Sequence, residues 1–354
     1  MKVKNQHYIP QFHLRRWSLD GKVISLYNKN NQIFVDNKGA IKNLASRDYF
    51  YDTDGSVEKQ LSIIESHVAP VYQKIIATES LSELVEDEIG ILYLHIALFN
   101  ERTAAAGEDY EKLVKAQIQT SLKVCQAHGR YLEIDANTIK DKFKVQFQCS
   151  SSIRNGILSS PLIEDLKLSL IKNTSDVEFL TSDYPVIRYN LWSIIRKLYS
   201  GWGMCNVGLM FFLPISPKFA LIAYDPVIYK IKNLQNNVVS INNKSAINEI
   251  NSLMLLNSNE NLFFSPNIPL HYIKRLISHM GDYMKPHDPI TVFGSGDHYY
   301  VLDTVRKISY KANLNFITIL QESLDWPVPK GLTGLLRPAS ESMAKRIKKE
   351  FLQN

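Results

Sequence analysis

Ser56-Val57-Glu58-Lys59-Gln60-Leu61-Ser62-Ile63-Ile64-Glu65-Ser66-His67-Val68-Ala69-Pro70-Val71-Tyr72-Gln73-Lys74-Ile75-Ile76-Ala77-Thr78 reads as one long amphipathic helix. Val57, Leu61, Ile64, Val68, Tyr72, Ile75 and Ile76 recur at steps of three and four, the period of one helical face. Gly55 or Ser56 is the expected cap. Working outward, Val85, Ile89, Leu92, Tyr93, Ile96 and Phe99 predict a second helix over 82–106. Weaker stripes predict helices over 107–127, 136–149 and 150–172, so residues 55–172 form a helical block.

On either side the sequence reads as short strands. Lys22–Tyr27 and Gln32–Val35 flank an Asn28–Asn31 turn as a hairpin, and Asp48–Tyr51 is a third expected strand. The texture changes again at Asn173. Val177–Leu180 reads as a short strand, and Leu209–Leu213 and Ala220–Tyr224 pair across a turn at Pro214–Lys218. Helical character returns at Ser245–Ser258 and Pro269–His279, with a strand at His298–Leu302. The expected class is α+β, a mixed sheet with the 55–172 helical block packed against it. Residues 1–304 read as a single domain, followed by a basic C-terminal extension, 305–354, that ends in a helix over Ser340–Leu352.

With 354 residues, 45% hydrophobic and 21% charged, the chain can bury a large core without staples. Cys125, Cys149 and Cys205 lack metal-knuckle spacing and read as reduced thiols. No apolar run approaches the length of a membrane span and no signal core follows the basic start, so a cytoplasmic protein without a membrane partner is expected. Formal net charge is +6. Residues 305–354 hold nine Lys/Arg against four Asp/Glu. Lys345-Arg346-Ile347-Lys348-Lys349 reads either as a solvated helix end that complements the dipole or as a contact for nucleic-acid phosphates. The P-loop, dinucleotide-fold, nucleophile-elbow and zincin motifs are missing from the sequence. Hence no nucleotide cofactor is expected.

The start, Gln6-His7-Tyr8-Ile9-Pro10-Gln11-Phe12-His13-Leu14-Arg15-Arg16-Trp17, resembles the opening of the bacterial domain-of-unknown-function family 4238. Further matches follow in order. They are Asp48–Tyr51 ahead of a helix with Glu58 and Glu65, Arg102, Phe179–Pro185, Pro214–Pro217, and an Asn-containing helix leading to Phe263-Phe264-Ser265. The resemblance spans roughly 4–266 and brings no activity with it. It implies a bacterial protein associated with mobile elements or phage defence. His7-x-x-Pro10 is also similar to an element of HNH nucleases, although here the hairpin at 22–35 comes after the helix.

The candidate site residues come from these motifs. Pro10 suits the first position of a short helix, which puts Gln11 and Arg15 four apart on one face with His7 just ahead. They either bind a phosphate or clasp the N-terminus to the hairpin. Asp183 stands at a strand end stiffened by Pro185. It either ligates Mg²⁺ or Mn²⁺ and serves as a base, or forms a local Asx-type turn. Glu58 and Glu65 lie seven apart on one helix, facing a cleft or making boundary ion pairs; Glu65 is the preferred ligand. Arg102 pairs with Glu65 or Asp183 in a site, or forms an interhelical ion pair. His287-Asp288 and Asp297-His298 lack a third ligand.

The expectation is a metal-dependent phosphodiesterase, a nuclease of a bacterial defence or toxin system. In it Glu65 and Asp183 hold Mg²⁺ or Mn²⁺, His7 transfers protons, and Gln11, Arg15 and Arg102 grip substrate. The alternative is a non-catalytic sensor or adaptor whose N-terminal cluster is structural.

Overall fold

A computed structural model describes residues 4–128, 145–198, 201–284, 290–295, 298–303, 307–327 and 335–352. The fold is α+β. In chain order the strands are β1 Asn5–His7, β2 Val23–Asn28, β3 Ile33–Ala40, β4 Ser46–Asp48, β5 Lys167–Asn173, β6 Thr181–Ser182, β7 Ile187–Tyr189, β8 Met210–Pro214 and β9 Phe219–Tyr224. They continue with β10 Tyr229–Ile231, β11 Val238–Ile241, β12 Asn261–Phe264, β13 Ile290–Ser295, β14 His298–Asp303 and β15 Ile317–Ile319. The helices are α1 Gln11–Leu14, α2 Ser56–Thr78, α3 Glu86–Glu101, α4 Ala104–Ala127, α5 Val145–Ser159, α6 Leu191–Ile195, α7 Lys244–Asn257, α8 Leu270–Met280, α9 Gln321–Leu324 and α10 Pro338–Leu352.

Two sheets organise the chain. The larger runs β11-β5-β9-β8-β7, parallel only between β11 and β5; the smaller runs β3-β2-β12-β6 and is antiparallel throughout. The larger sheet separates two cores. Leu168, Leu170, Phe211, Leu213, Leu221 and Ala223 face α2 and α3. Ile171, Met210, Phe212, Ala220 and Ile222 face α7, α8 and the stretch after residue 307. All six residues of β9 are buried, which explains its continuous apolar run: a strand covered on both faces has no polar side.

The expected hairpin, the β8–β9 pair, α2, α3, α7, α8 and the terminal helix are all present. The helical block is shorter than 55–172. It stops at a 3-10 turn over Ser160–Ile163, and Lys167–Asn173 is a sheet strand, not the end of a helix. The strand expected at Asp48–Tyr51 lies at Ser46–Asp48 and ends where Tyr49 takes φ 52°, a left-handed conformation that breaks strand geometry. Val177–Leu180 is not a strand. Phe179 N–H donates to Pro217 O (2.9 Å) and Leu180 N–H to the Asn251 side chain (3.0 Å). Residues 136–144 of one expected helix, and His287, Asp288 and Asp297, lie outside the described residues.

The stretch set off by its charge, 305–354, is tied into the rest. Ile308, Ala312, Leu314, Phe316 and Ile317 sit in the second core, and β15 pairs with β10. Arg337, 4% exposed, forks onto Asp165 (2.8 and 3.0 Å) and also donates to the carbonyls of Leu162, Met204 and Asn206. No helix among the described residues is long and apolar enough to cross a membrane.

Candidate functional site

β1 pairs antiparallel with β4, placing Gln6 opposite Arg47 and His7 opposite Ser46. Gln6 is fully buried. Its Oε1 accepts from Tyr51 N–H at 2.7 Å, while its Nε2 donates to Asp52 O (3.0 Å) and Asp52 Oδ1 (2.8 Å). Asp52 in turn accepts from Gly55 N–H (2.9 Å) and Val57 N–H. A side chain outside the helix therefore caps α2, because Gly55 at the N-cap, with φ 82°, offers no oxygen of its own.

This turn delivers Tyr51 to Arg102, at the C-terminal end of α3. Arg102 is 2% exposed. It donates to Glu65 Oε1 (2.7 Å), to His7 O (2.8 Å) and to the Tyr51 hydroxyl (3.3 Å). The acceptor expected to be a phosphate is thus part of the protein: Arg102 positions β1 and α2 and has no exposed fork to offer. Arg102→Lys keeps the charge but one ammonium cannot reach three planar acceptors. Urea titration is expected to show a loss of about 2 kcal/mol.

The outer rim is more open. His7 and Gln11 are half-buried and Arg15 is exposed. Arg15 donates to Gln11 Oε1 at 2.8 Å, leaving the Gln11 amide to face His7 Nε2 at 3.4 Å. The same Nε2 lies 3.2 Å from Lys42 O. Nε2 accepts from Gln11 in the neutral Nδ1–H tautomer and donates to Lys42 O whenever it carries a proton. Burial holds the His7 imidazole below its ordinary range, opposed by Lys42 and Glu65. Glu58, on the first turn of α2, carries a buried Oε2 with no hydrogen-bond partner among the described residues. Its carboxyl is pushed up to about 7 by burial and by Glu65 and Asp52, against the pull of Arg102. Weighed in sequence only as the lesser partner of Glu65, Glu58 is the more perturbed acid.

Asp183 is taken up by backbone. It is 3% exposed, and its oxygens accept N–H bonds from Asn259 (2.8 Å), Glu260 (2.8 Å) and Asn261 (2.9 Å). These contacts fix the start of β12 beside the link where the chain leaves the smaller sheet at β6 for the larger at β7. Asp183 thus forms no local Asx-type turn: the N–H groups it satisfies are 76–78 residues away in sequence, while Ser182 Oγ accepts locally from Tyr184 N–H at 3.1 Å. Glu65 and Asp183 share no partner, and among the described residues no group of three or more His, Cys, Asp or Glu is placed to hold a metal ion.

The opening helix meets the Thr-Ser-Asp segment through residues other than the candidates. His13 Nε2 meets Thr181 Oγ1 at 2.9 Å and Trp17 Nε1 donates to Phe179 O at 2.7 Å. Most of the opening motif is accordingly interior: Gln6, Tyr8, Ile9, Pro10, His13, Leu14 and Trp17 are all buried. His7, Gln11 and Arg15 remain on the rim.

With this arrangement in hand, the comparison with known families is decisive on kinship. The family described as "Protein of unknown function (DUF4238)" matches residues 5–267, and the chain belongs to it. No curated protein and no solved structure matches the chain.

Proposed function

We propose that the rim formed by His7, Gln11, Arg15, Glu58 and Glu65 is an acid–base centre acting on a phosphodiester, which makes the protein a nuclease. The observation that carries this reading is the Glu58 carboxyl, unpartnered at Oε2 and pushed up to about 7. It senses the same Glu65–Arg102 pair as His7, whose imidazole is held neutral. A base that is free of its proton near neutrality and an acid that still carries one are the complementary pair proton transfer requires. In the proposed step water, or a ribose hydroxyl, attacks phosphorus and gives its proton to His7 Nε2. The departing oxygen takes the proton of Glu58. Arg15, the exposed guanidinium of the rim, faces the phosphate. Nucleic acid is then the partner, with the basic face of α10 as an added contact. A nuclease fits the bacterial defence or toxin setting that the resemblance implies.

The test is incubation of the purified protein with labelled RNA and DNA, with Mg²⁺, with Mn²⁺ and with chelator. Cleavage should rise with pH as His7 loses its proton and fall above about pH 7 as Glu58 loses its own. Glu58→Gln should remove the alkaline limb and slow cleavage by about 10²-fold at unchanged melting temperature. Intact substrate in every arm overturns the proposal.

A second reading rests on a different observation. Gln6 and Arg102 direct their donors inward, as a structural clasp of a non-catalytic sensor or adaptor does. That reading expects His7→Ala and Arg15→Ala to lower melting temperature without touching any activity.

A further inference from the structure

A cavity of about 440 Å³ that shares no lining residue with that rim opens between the turn of the β2–β3 hairpin, the first turns of α4, the C-terminal end of α7 and two stretches of the C-terminal region. Its volume lies in the range of small-ligand sites. One side is cationic and polar: Lys29, Lys112 and Lys307 line it together with Asn259 and Ser309, against two acids, Glu108 and Asp109. The acids have basic neighbours, Glu108 with Arg47 (3.6 Å) and Asp109 with Lys112 (3.9 Å). The Lys29 ammonium is held at the α7 terminus by Ser258 O (2.6 Å) and Leu255 O (3.4 Å), which anchors a charge at the rim. Lys307 stands over the Trp202 ring, 4.5 Å from its centroid.

The other side is aromatic. Tyr283 and Tyr310 meet edge to face with centroids 4.9 Å apart, and Tyr283 is 49% exposed. Tyr310 is held in place, its hydroxyl donating to Glu249 Oε2 at 2.8 Å. A tyrosine ring backed by a fixed partner and open on its other side is a stacking platform. Both aromatic residues and Lys307 lie beyond residue 267, outside the stretch matched by the family. The β13–β14 hairpin, packed on α4, springs from between these two wall segments. The cavity is therefore a composite of the family core and a part of the chain the family model does not describe.

We infer that this cavity binds a nucleoside phosphate, its base stacked on Tyr283 and its phosphate held on the side of Lys29, Lys112 and Lys307. Planarity with negative charge is what an open aromatic ring beside a lysine-rich, amide-lined wall selects. The inference is independent of the nuclease reading, since no residue is shared between the two sites.

The test is calorimetric titration of the full chain with AMP, ATP, GTP, adenosine and inorganic phosphate, run in parallel on Tyr283→Ala and Lys112→Glu. Saturable binding of nucleotides is expected, with adenosine and phosphate each weaker. Tyr283→Ala should weaken nucleotides by about tenfold or more and leave phosphate where it was. Lys112→Glu should weaken nucleotides and phosphate alike. Both positions are on the surface, and melting temperatures within a degree or so of the parent confirm that the comparison is of folded proteins. Lack of saturable binding at millimolar nucleotide, adenosine binding as tightly as AMP, or affinities unmoved by both substitutions overturns the inference.

Discussion

Asp183→Asn is expected to destabilise the protein by about 3 to 5 kcal/mol, read as a shift of the urea midpoint. The carboxylate accepts three backbone N–H groups, two of them on one oxygen. An amide keeps one acceptor and turns an N–H₂ group toward donors that have no water to fall back on. Its location amplifies the loss. Residues 181–189 carry the chain from one sheet to the other, and the 259–261 turn begins the strand that pairs with both β2 and β6. Releasing the turn therefore loosens the smaller sheet at its middle. Burial pushes the Asp183 carboxyl above its ordinary range in spite of the three N–H groups. If Asp183→Asn instead melts with the parent and only an activity disappears, the carboxylate belongs to the chemistry after all.

This residue illustrates what a sequence can and cannot disclose. The α2 stripe was legible from its helical period, the β2–β3 hairpin from the turn between two short runs, and the β8–β9 pair from two apolar runs flanking a Pro-containing turn. β5 was not: Lys167, Ser169 and Lys172 interrupt its apolar run, and only burial of Leu168 through Ile171 on both faces of a sheet decides its conformation. The three-residue strands β10 and β15 are held by pairing across a gap of more than 80 residues, an interaction no local window contains.

The site divides the same way. An ion pair between Arg102 and Glu65 could be anticipated because α2 and α3 are successive helices with those residues on their inner faces. The Gln6–Asp52 contact could not, since it exists only once β1 has paired with β4. The opening motif is rich in hydrogen-bonding side chains, which suit a phosphate site and a structural clasp alike. Seven of its residues are interior, and Gln6, His13 Nε2 and Trp17 Nε1 bond to backbone and side chains of distant elements. What distinguishes His7, Gln11 and Arg15 is partial exposure, a quantity that tertiary structure alone supplies. The same logic moves Glu58 ahead of Glu65: an acid matched by arginine is settled, whereas a half-buried one without a partner at one oxygen has chemistry left to do.

The second large effect concerns acid. His13 and His95 lie in the first core at 0% and 1% exposure, among Phe12, Trp17, Tyr72 and Phe99. His13 Nδ1 and His95 Nε2 have no hydrogen-bond partner among the described residues. Burial pushes His13 down to about 3 and His95 well below its ordinary range. In the unfolded chain both take up protons near pH 6.5, so below that value the unfolded state binds more protons and stability falls with pH. Each histidine contributes about 1.4 kcal/mol per pH unit until its folded form protonates. Glu58 acts oppositely: its folded carboxyl takes up a proton from about 7 downward, ahead of the unfolded one. Asp183 and Asp225, both raised by burial, do likewise nearer the ordinary carboxylate range. The stability curve should therefore decline gently at first and steeply below about pH 4, where the raised carboxyls no longer oppose the histidines. His95→Phe isolates one of them. At neutral pH it removes an orphaned nitrogen from an aromatic box and should be neutral or mildly stabilising. Its advantage over the parent should then widen by about 1.4 kcal/mol for each pH unit below 6.5, measured by urea titration at several pH values. Parallel curves for the two proteins would show that His95 is already protonated, or already hydrated, inside the fold.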